Sequence, residues 1–564
     1  MRTEIEVDLL VAGAGPAGMT AALVASLEGL DVLVCEKSEQ VGGTGATAAG
    51  TLWIPGNHQS QAAGFDDSAA AAEHYLDALI PGTAGRELRA AFLATGPQAI
   101  DYLVARTDVQ FVPCGKHPDY RGNLPGAGVF GRAIIPQPFD GRLLGADFER
   151  VRPPIPEYMI LGGMMIGKDD IPRLIGRFRS LANFAYSAKL FARYVSDRVR
   201  YRRGTRLMMG NALTARLFYS LRKRRVPIRF GTAIADVLGD AQGVQGARLR
   251  AGGDEIVVKT RRGVILATGG FGHNRAFREQ FMPQPTPERS LACETNAGDG
   301  VAIGLRLGGR TAPAKGGGGG LWTPVSVTRR RDGSEGLYPH LSLDRPKPGL
   351  LAVNGAGRRF VNEAVSYHDF VEAMFESHKS VPTIPAWLIC ASWFIARYGF
   401  GDIHPGTRDL RAFERSGYLV TAPTLDDLAR KIGVAPAALA ETVARHDRFA
   451  KTGVDVDFGK GETELNRFNG DASHQPNPCI GMLGAPPYHA IAVWPAEIAV
   501  STGLATDADA RVLDAEGKPI PGLYACGNDM ASIMSGAYPG PGTTLGPATV
   551  FAYRAVMHAR RGIA

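Results

Sequence analysis

Cysteine is scarce in this chain: six in 564 residues, Cys35, Cys114, Cys293, Cys390, Cys479 and Cys526, with no CxxC pair and no Cys/His spacing. Neither a disulfide framework nor a zinc site is indicated, and no metal is expected; such usage suits a reducing compartment. Also missing is any uninterrupted apolar run near the ~20 residues that span a bilayer. The opening Met1-Arg-Thr-Glu-Ile-Glu puts acids where a signal peptide needs basic and then apolar residues, so export is not expected and a cytoplasmic place is. Internal repeats and low-complexity tracts are lacking too.

What is present is an ordinary globular balance, 45% hydrophobic and 21% charged, in a length that would hold three or four blocks of ~150 residues. Glycine (71) and proline (37) are frequent but not periodic, which implies tight turns and close ligand approaches. The net charge of +8 is local. Between Arg173 and Arg225 stand fifteen Lys/Arg and one acid, Asp197, so this stretch carries +14 and the remainder −6. No nucleic-acid motif accompanies it, and nucleic acid is not an expected partner.

Val7 to Val11 predicts a short buried strand, Gly13-Ala-Gly15-Pro16-Ala17-Gly18 a tight turn, and Met19 to Ser26 a helix. Gly13 permits the turn, Gly15 lets backbone approach a pyrophosphate, and Gly18 lets helix and strand pack closely. A second strand, Asp31 to Cys35, ends in Glu36, placed to accept ribose hydroxyls, with Lys37 beside it. The small-residue segment Gly42 to Gly50 follows and supplies Gly43, Thr44, Ala48 and Gly50. It resembles the loop of FAD-binding flavoproteins that lies beside the pyrophosphate and flavin. Far downstream, Val264 to Gly270 is similar to their ATGG turn, with Ala267, Thr268 and Gly269, and Gly522 to Asn528 resembles their ribitol-contacting strand end, with Gly527 and Asn528. The cofactor this implies is FAD, with NAD alone as the minor alternative. Ile234, Asp299, Thr544 and Leu545 complete the expected contacts.

The expected fold is α/β: a Rossmann-type FAD-binding domain, discontinuous in sequence (1–134, 211–312 and 486–564), with an α+β substrate-capping domain over 313–485. Residues 135–210 read as a basic and apolar insertion, a lid or membrane contact. Asn211 to Arg225 predicts a helix, Val226 to Leu249 strands with a turn at 239–243, and Thr424 to Asp447 two helices with Thr424 as N-cap and Gly433 at the break.

The ending Met534-Ser-Gly-Ala-Tyr538-Pro-Gly-Pro-Gly542-Thr-Thr-Leu-Gly546-Pro-Ala is similar to that of bacterial FAD-dependent 3-ketosteroid Δ1-dehydrogenases, within the fumarate reductase and succinate dehydrogenase flavoprotein superfamily. The resemblance covers most of the chain outside about 135–210. It implies that Tyr538 and the Gly542 amide hold a steroid C3 carbonyl, that Tyr367 is the base, and that Tyr120 hydrogen-bonds that base. The substrate implied is a 3-ketosteroid, desaturated at C1–C2, with electrons passing to an unidentified acceptor of quinone or dye type. A tyrosine base needs help: taking its pKa from about 10 to ~7 requires roughly 4 kcal/mol.

Alternatives are a 3-ketosteroid Δ4-(5α)-dehydrogenase, a fumarate-reductase-like reductase of another enone, or a flavoprotein without turnover that binds membrane or nucleic acid. Ser501-Thr-Gly503-Leu lacks the histidine and paired glycines of fumarate reductases, and no arginine replaces Tyr538, which disfavours dicarboxylate reduction. The stretch after Gly43 is poorer in hydroxyls than the family pattern, so backbone-only flavin contacts are expected there. His368, His489 and Cys526 read as packing residues rather than catalysts. In the basic stretch 171–225, Phe184, Ala188, Phe191 and Val195 share one helical face. Cations around it, among them Arg198, Arg200, Arg202 and Arg203, describe a helix that could lie on an anionic membrane surface, peripheral at its inner face.

Overall fold

The computed structural model describes residues 3–167, 169–240, 242–312, 318–330 and 332–562. The start of the expected capping segment, 313–317, and position 241 in the expected turn lie outside the described residues.

Strand β1 (Thr3–Ala12) leads into helix α1 (Pro16–Leu27) and strand β2 (Val32–Cys35). Leu9 to Ala12 are completely buried, which is why this strand reads as a continuous apolar run and not as an alternation. Proline at the first turn of α1 removes a donor that a helix start leaves unpaired anyway. The next elements used here are α2 (Leu181–Arg198) and α3 (Met209–Lys223), the latter within two residues of the expected helix. Strands β3 (Ile228–Arg229), β4 (Thr232–Asp240), β5 (Gly243–Ala251) and β6 (Asp254–Leu266) follow; β4 and β5 pair antiparallel.

A second layer starts with β7 (Gly320–Arg329), β8 (Glu335–Pro339) and β9 (Leu351–Val353). Helix α4 (Tyr367–His378), β10 (Ala386–Ala391) and β11 (Tyr488–Val500) complete it. Between the last two lie the helices Leu425–Ile432 and Pro436–Thr452; Thr424 accepts from Asp427 N as N-cap, and Gly433 closes the first helix in the left-handed conformation. The chain returns through β12 (Arg511–Leu513), β13 (Pro519–Ala525) and α5 (Leu545–Arg560).

The first sheet has the order β3-β2-β1-β6-β5-β4, with β13 on the second half of β6 and β12 on β13. Its strands β2, β1, β6 and β13 are mutually parallel in that order. They end at one edge, at Cys35, Ala12, Leu266 and Ala525. Ligands of open α/β sheets bind beyond the carboxyl ends of such strands. The second sheet is antiparallel in the order β8-β7-β11-β10-β9, and the C-terminal end of β11 brings Ile498 and Ala499 to the cavity beside that edge.

Candidate active site

Four sequence-distant segments leave the common edge of the parallel strands and enclose one cavity, with about 1610 Å³ of non-atom space including its open mouth. Of the expected cofactor residues, Gly13, Gly15, Pro16, Ala17, Glu36, Lys37, Gly43, Thr44, Ala48, Gly50, Ile234, Ala267, Thr268, Gly269, Asp299, Gly527, Asn528, Thr544 and Leu545 line it, and Gly18 does not. The glycines differ for a physical reason. A methyl group on Gly18 would lie 1.9 Å from Gly13 O, whereas one on Gly15 would meet nothing within 4 Å. Gly18 is therefore closed by helix-on-strand contact, and Gly15 faces open space at the first turn of α1, whose free amides suit a pyrophosphate.

The Glu36 carboxylate accepts from Ala14 N (2.7 Å) and Ser38 N (2.8 Å), which fixes it and leaves lone pairs for ribose hydroxyls. Lys37 and Asp299 form an ion pair at 2.7 Å across 262 positions. Thr44 Oγ1 accepts from Cys293 N (2.8 Å) and Asn296 Nδ2 (3.0 Å), so this hydroxyl ties the glycine loop to residues 293–296, a role beyond the backbone-only contact expected of it. These donors, acceptors and open backbone fit a dinucleotide, and the residues that line the cavity are those that would hold FAD. Among the described residues no cluster of three or more His, Cys, Asp or Glu could hold a metal ion.

At the far end of the cavity three tyrosines meet. Tyr120 donates to Tyr367 Oη (3.2 Å), and Tyr367 donates to Tyr538 Oη (2.9 Å). The Tyr120 and Tyr538 rings stack at 5.4 Å and 18°, and Tyr367 stands edge-on to both. Tyr367, Tyr538 and Gly542 line the cavity; Tyr120 stands behind Tyr367. Burial pushes all three hydroxyls well above the usual tyrosine value.

Local structure explains these positions. Tyr367 is the first residue of α4, whose N-cap Ser366 accepts from Asp369 N. Tyr538 and Gly542 sit on a loop held from one side by Tyr120 N and Tyr75 Oη, both donating to Pro539 O at 2.8 Å. Trp53 N donates to Gly542 O (3.2 Å). Gly542 has φ +96°, and any Cβ there would lie 2.5 Å from Trp53 N. Trp53 is fixed in turn by Nε1 donating to Asp119 (2.8 Å), which is paired with the buried Arg132. Among the described residues the Gly542 amide has no acceptor, so it is free to serve a ligand oxygen.

Sequence reasoning missed several lining residues: Ile155, Tyr158, Leu291, Thr295, Asn296, Pro339, Leu341 and Ile498. Isolated side chains on separate loops leave no motif. It also missed Asp529, fully buried and pushed up to about 6 by that burial. Asp529 accepts from Thr268 N (2.5 Å) and Gly270 N (2.9 Å), tying the two glycine turns together. His368 accepts from Trp322 N, and His489 lies between Ser392 and Thr421; neither lines the cavity. Cys526 is completely buried, and burial raises its thiol.

The segment 135–210 contributes more than a surface. Ile155 and Tyr158 line the cavity, and Glu157 pairs with Arg330 of the second layer at 2.8 Å. On α2, Tyr194 and Asp197 point inward, while Phe184, Ala188, Phe191 and Val195 are exposed. One expectation is corrected: Arg203 is buried over the Phe148 ring and donates to Asn211 and Val151, because the tight approach of Gly163 and Gly204 beside it folds this stretch inward. Arg198, Arg200 and Arg202 are exposed. Among the described residues no helix is long and apolar enough to cross a membrane.

Comparison with known proteins agrees with this geometry. The model of the FAD binding domain family matches residues 8–545. A 4-oxocyclohex-2-ene-1-carboxylate 5-dehydrogenase of Sinomonas cyclohexanicum is 39% identical over 98% of this chain and 93% of its own. A 3-oxosteroid 1-dehydrogenase of Mycobacterium tuberculosis is 34% identical over 98% of both. The solved 3-ketosteroid Δ1-dehydrogenase of Sterolibacterium denitrificans, in complex with 1,4-androstadiene-3,17-dione, superposes with a TM-score of 0.90 at 36% identity over 99% of both chains. The chain belongs to the FAD binding domain family and, within it, to the flavin-dependent oxidoreductases that include the 3-oxosteroid 1-dehydrogenases.

Proposed function

We propose that the protein desaturates the C1–C2 bond of a 3-ketosteroid A ring. The observation that carries this reading is that Tyr538 and Gly542, whose amide has no acceptor among the described residues, line the same cavity, with Tyr367 Oη 2.9 Å from Tyr538 Oη. FAD, when bound, supplies the acceptor at N5 for the hydride that leaves C1. Tyr538 and Gly542 donate to the C3 oxygen and stabilise the charge that develops on it, the role of an oxyanion hole. Tyr367, as tyrosinate, takes the C2 proton, and a hydrogen bond from Tyr120 stabilises that tyrosinate beforehand. The domain boundaries given above are part of the same proposal.

A second reading comes from the relative that acts on a 4-oxocyclohexenecarboxylate. Such a substrate carries a carboxylate across the ring from its ketone and needs a counter-charge. Among the described lining residues Lys37 is the one cation, and it is already paired with Asp299. The lining also includes the apolar side chains of Ile155, Leu291, Pro339, Leu341 and Ile498 and the Tyr158 ring, which favours an apolar polycyclic ketone. Anaerobic reduction of the flavin by 4-androstene-3,17-dione and not by 4-oxocyclohexanecarboxylate, with a 1,4-diene as product, is the expected result. Reduction by the carboxylate alone overturns the steroid reading; with 5α-androstane-3,17-dione as a second substrate, a product unsaturated only at C4 assigns the Δ4 reaction.

The exposed face of α2 supports a peripheral place on an anionic membrane, where a sterol substrate is dissolved. Its apolar side chains point to solvent with Lys189, Arg198, Arg200 and Arg202 around them, the pattern of an interfacial helix.

A further inference from the structure

Arg345 is completely buried and makes no ion pair among the described residues. Its Nε donates to His340 O (2.7 Å), its Nη1 to Glu363 O (2.8 Å) and Val365 O (3.4 Å), and its Nη2 to Leu341 O (2.7 Å). The guanidinium lies over the Phe370 ring, 4.8 Å from its centroid. Carbonyl oxygens satisfy the N–H groups, and the carboxylates that act on the charge at longer range are Asp344, Glu363 and Asp369.

The carboxylates nearby are already engaged. Asp344 accepts from His340 Nδ1 (2.6 Å), Gly401 N (3.1 Å) and the Arg345 backbone N (2.8 Å). Glu363 is held by Arg359 and Lys460, and Asp369 by Arg121. His368 pairs with Glu372 on the same helix. The remaining ionisable groups around Tyr367 are the hydroxyls of Tyr120, Tyr538 and Tyr158. Everything that Arg345 grips converges on Tyr367: Leu341 shares its cavity, Val365 is two residues before it, and Phe370 is three after it on α4.

We propose that Arg345 is a positioning residue of this site, whose fixed positive charge stabilises the tyrosinate that Tyr367 must be in order to take the proton next to the ketone. The proposal rests on the assignment of Tyr367 as base. Its logic is that a buried cation bound directly only by carbonyl oxygens, with the nearby carboxylates already held, is available to the tyrosinate that Tyr367 must become before it takes the proton, in a medium where charge interactions are weakly screened. The electrostatics agree: burial pulls the Arg345 guanidinium down to about 10, and Asp344, Glu363, Asp369 and then Tyr367 hold it up.

The test is single-turnover flavin reduction by a 3-ketosteroid across pH in the holoenzyme, for Arg345→Gln, Arg345→Met and Arg345→Lys. Arg345→Met matters because an apolar side chain of similar length often replaces a buried ion without loss of folding. Both neutral variants are expected to move the rising limb of the profile upward by about one pH unit or more, so that the rate below the limb falls about tenfold and recovers at high pH. Arg345→Lys keeps the limb where the parent has it, even with a lower plateau. A uniform loss without a shift, or an equal shift in all three, overturns the proposal and leaves Arg345 as a strut between Leu341 and α4. A fully active Tyr367→Phe would instead overturn the base itself, which keeps the two failures distinct.

Discussion

Tyr367 donates its hydroxyl to Tyr538 across 2.9 Å, joining residues 171 positions apart at the wall of one cavity. With Tyr367 donating in this direction, the Tyr538 proton is left free to point at a ligand oxygen, beside the Gly542 amide.

Removing that proton gives the first prediction. Tyr538→Phe is expected to lower the rate of flavin reduction by about 10²–10³, roughly 3–4 kcal/mol, because one of two donors to a developing charge is lost. Steroid affinity should change far less, since the neutral ketone needs the donor less than the enolate does. Stopped-flow reduction and equilibrium binding separate the two; a loss confined to affinity places the carbonyl elsewhere.

Tyr367→Phe should keep FAD and steroid binding and nearly abolish reduction. Burial raises the Tyr367 hydroxyl, and a base must be ionised to act, so the rate of the parent rises with pH. Tyr120→Phe deletes a donor to the tyrosinate; this raises the pKa further and moves the rising limb to higher pH. A downward shift would reverse the assigned direction of that hydrogen bond.

For the cofactor, Gly15 is a cleaner probe than Glu36, whose replacement also strands the Ala14 and Ser38 amides. Gly15→Val has room in the protein itself, so the apoprotein should melt near the parent while Kd for FAD rises about tenfold or more, at least ~1.4 kcal/mol. Gly18→Val meets Gly13 O and should lose stability by about 1–3 kcal/mol. Equal behaviour of the two variants in melting would contradict this division.

Sedimentation with anionic liposomes is expected to fall with salt and with Arg198→Gln, Arg200→Gln and Arg202→Gln together, since exposed charges are screened beyond ~8 Å at physiological ionic strength. Arg203→Gln belongs in the control set because its guanidinium is buried; it should affect melting and not lipid binding. Sedimentation indifferent to salt and to the triple variant would leave α2 as a contact between proteins.

The sequence by itself determined what local backbone chemistry determines. Gly13, Gly15 and Gly18 between an apolar strand and a helix specify a phosphate-facing turn, because only glycine supplies that φ and those clearances. Thr424 and Gly433 mark helix ends by capping, and the apolar pattern of Phe184, Ala188, Phe191 and Val195 marks one face of a helix. The tertiary structure alone decided what depends on convergence. It turned Arg203 inward while leaving Arg202 outside, tied Asp529 to Thr268 across 261 positions, and set Tyr158 of the insertion into the cavity wall. It also buried Arg345, with its side chain bonded to backbone carbonyls, one of them Val365 O just before α4. Such relations arise where strands from distant parts of the chain end at one sheet edge, and no spacing along the sequence encodes which side chains will then share a dry, weakly screened space.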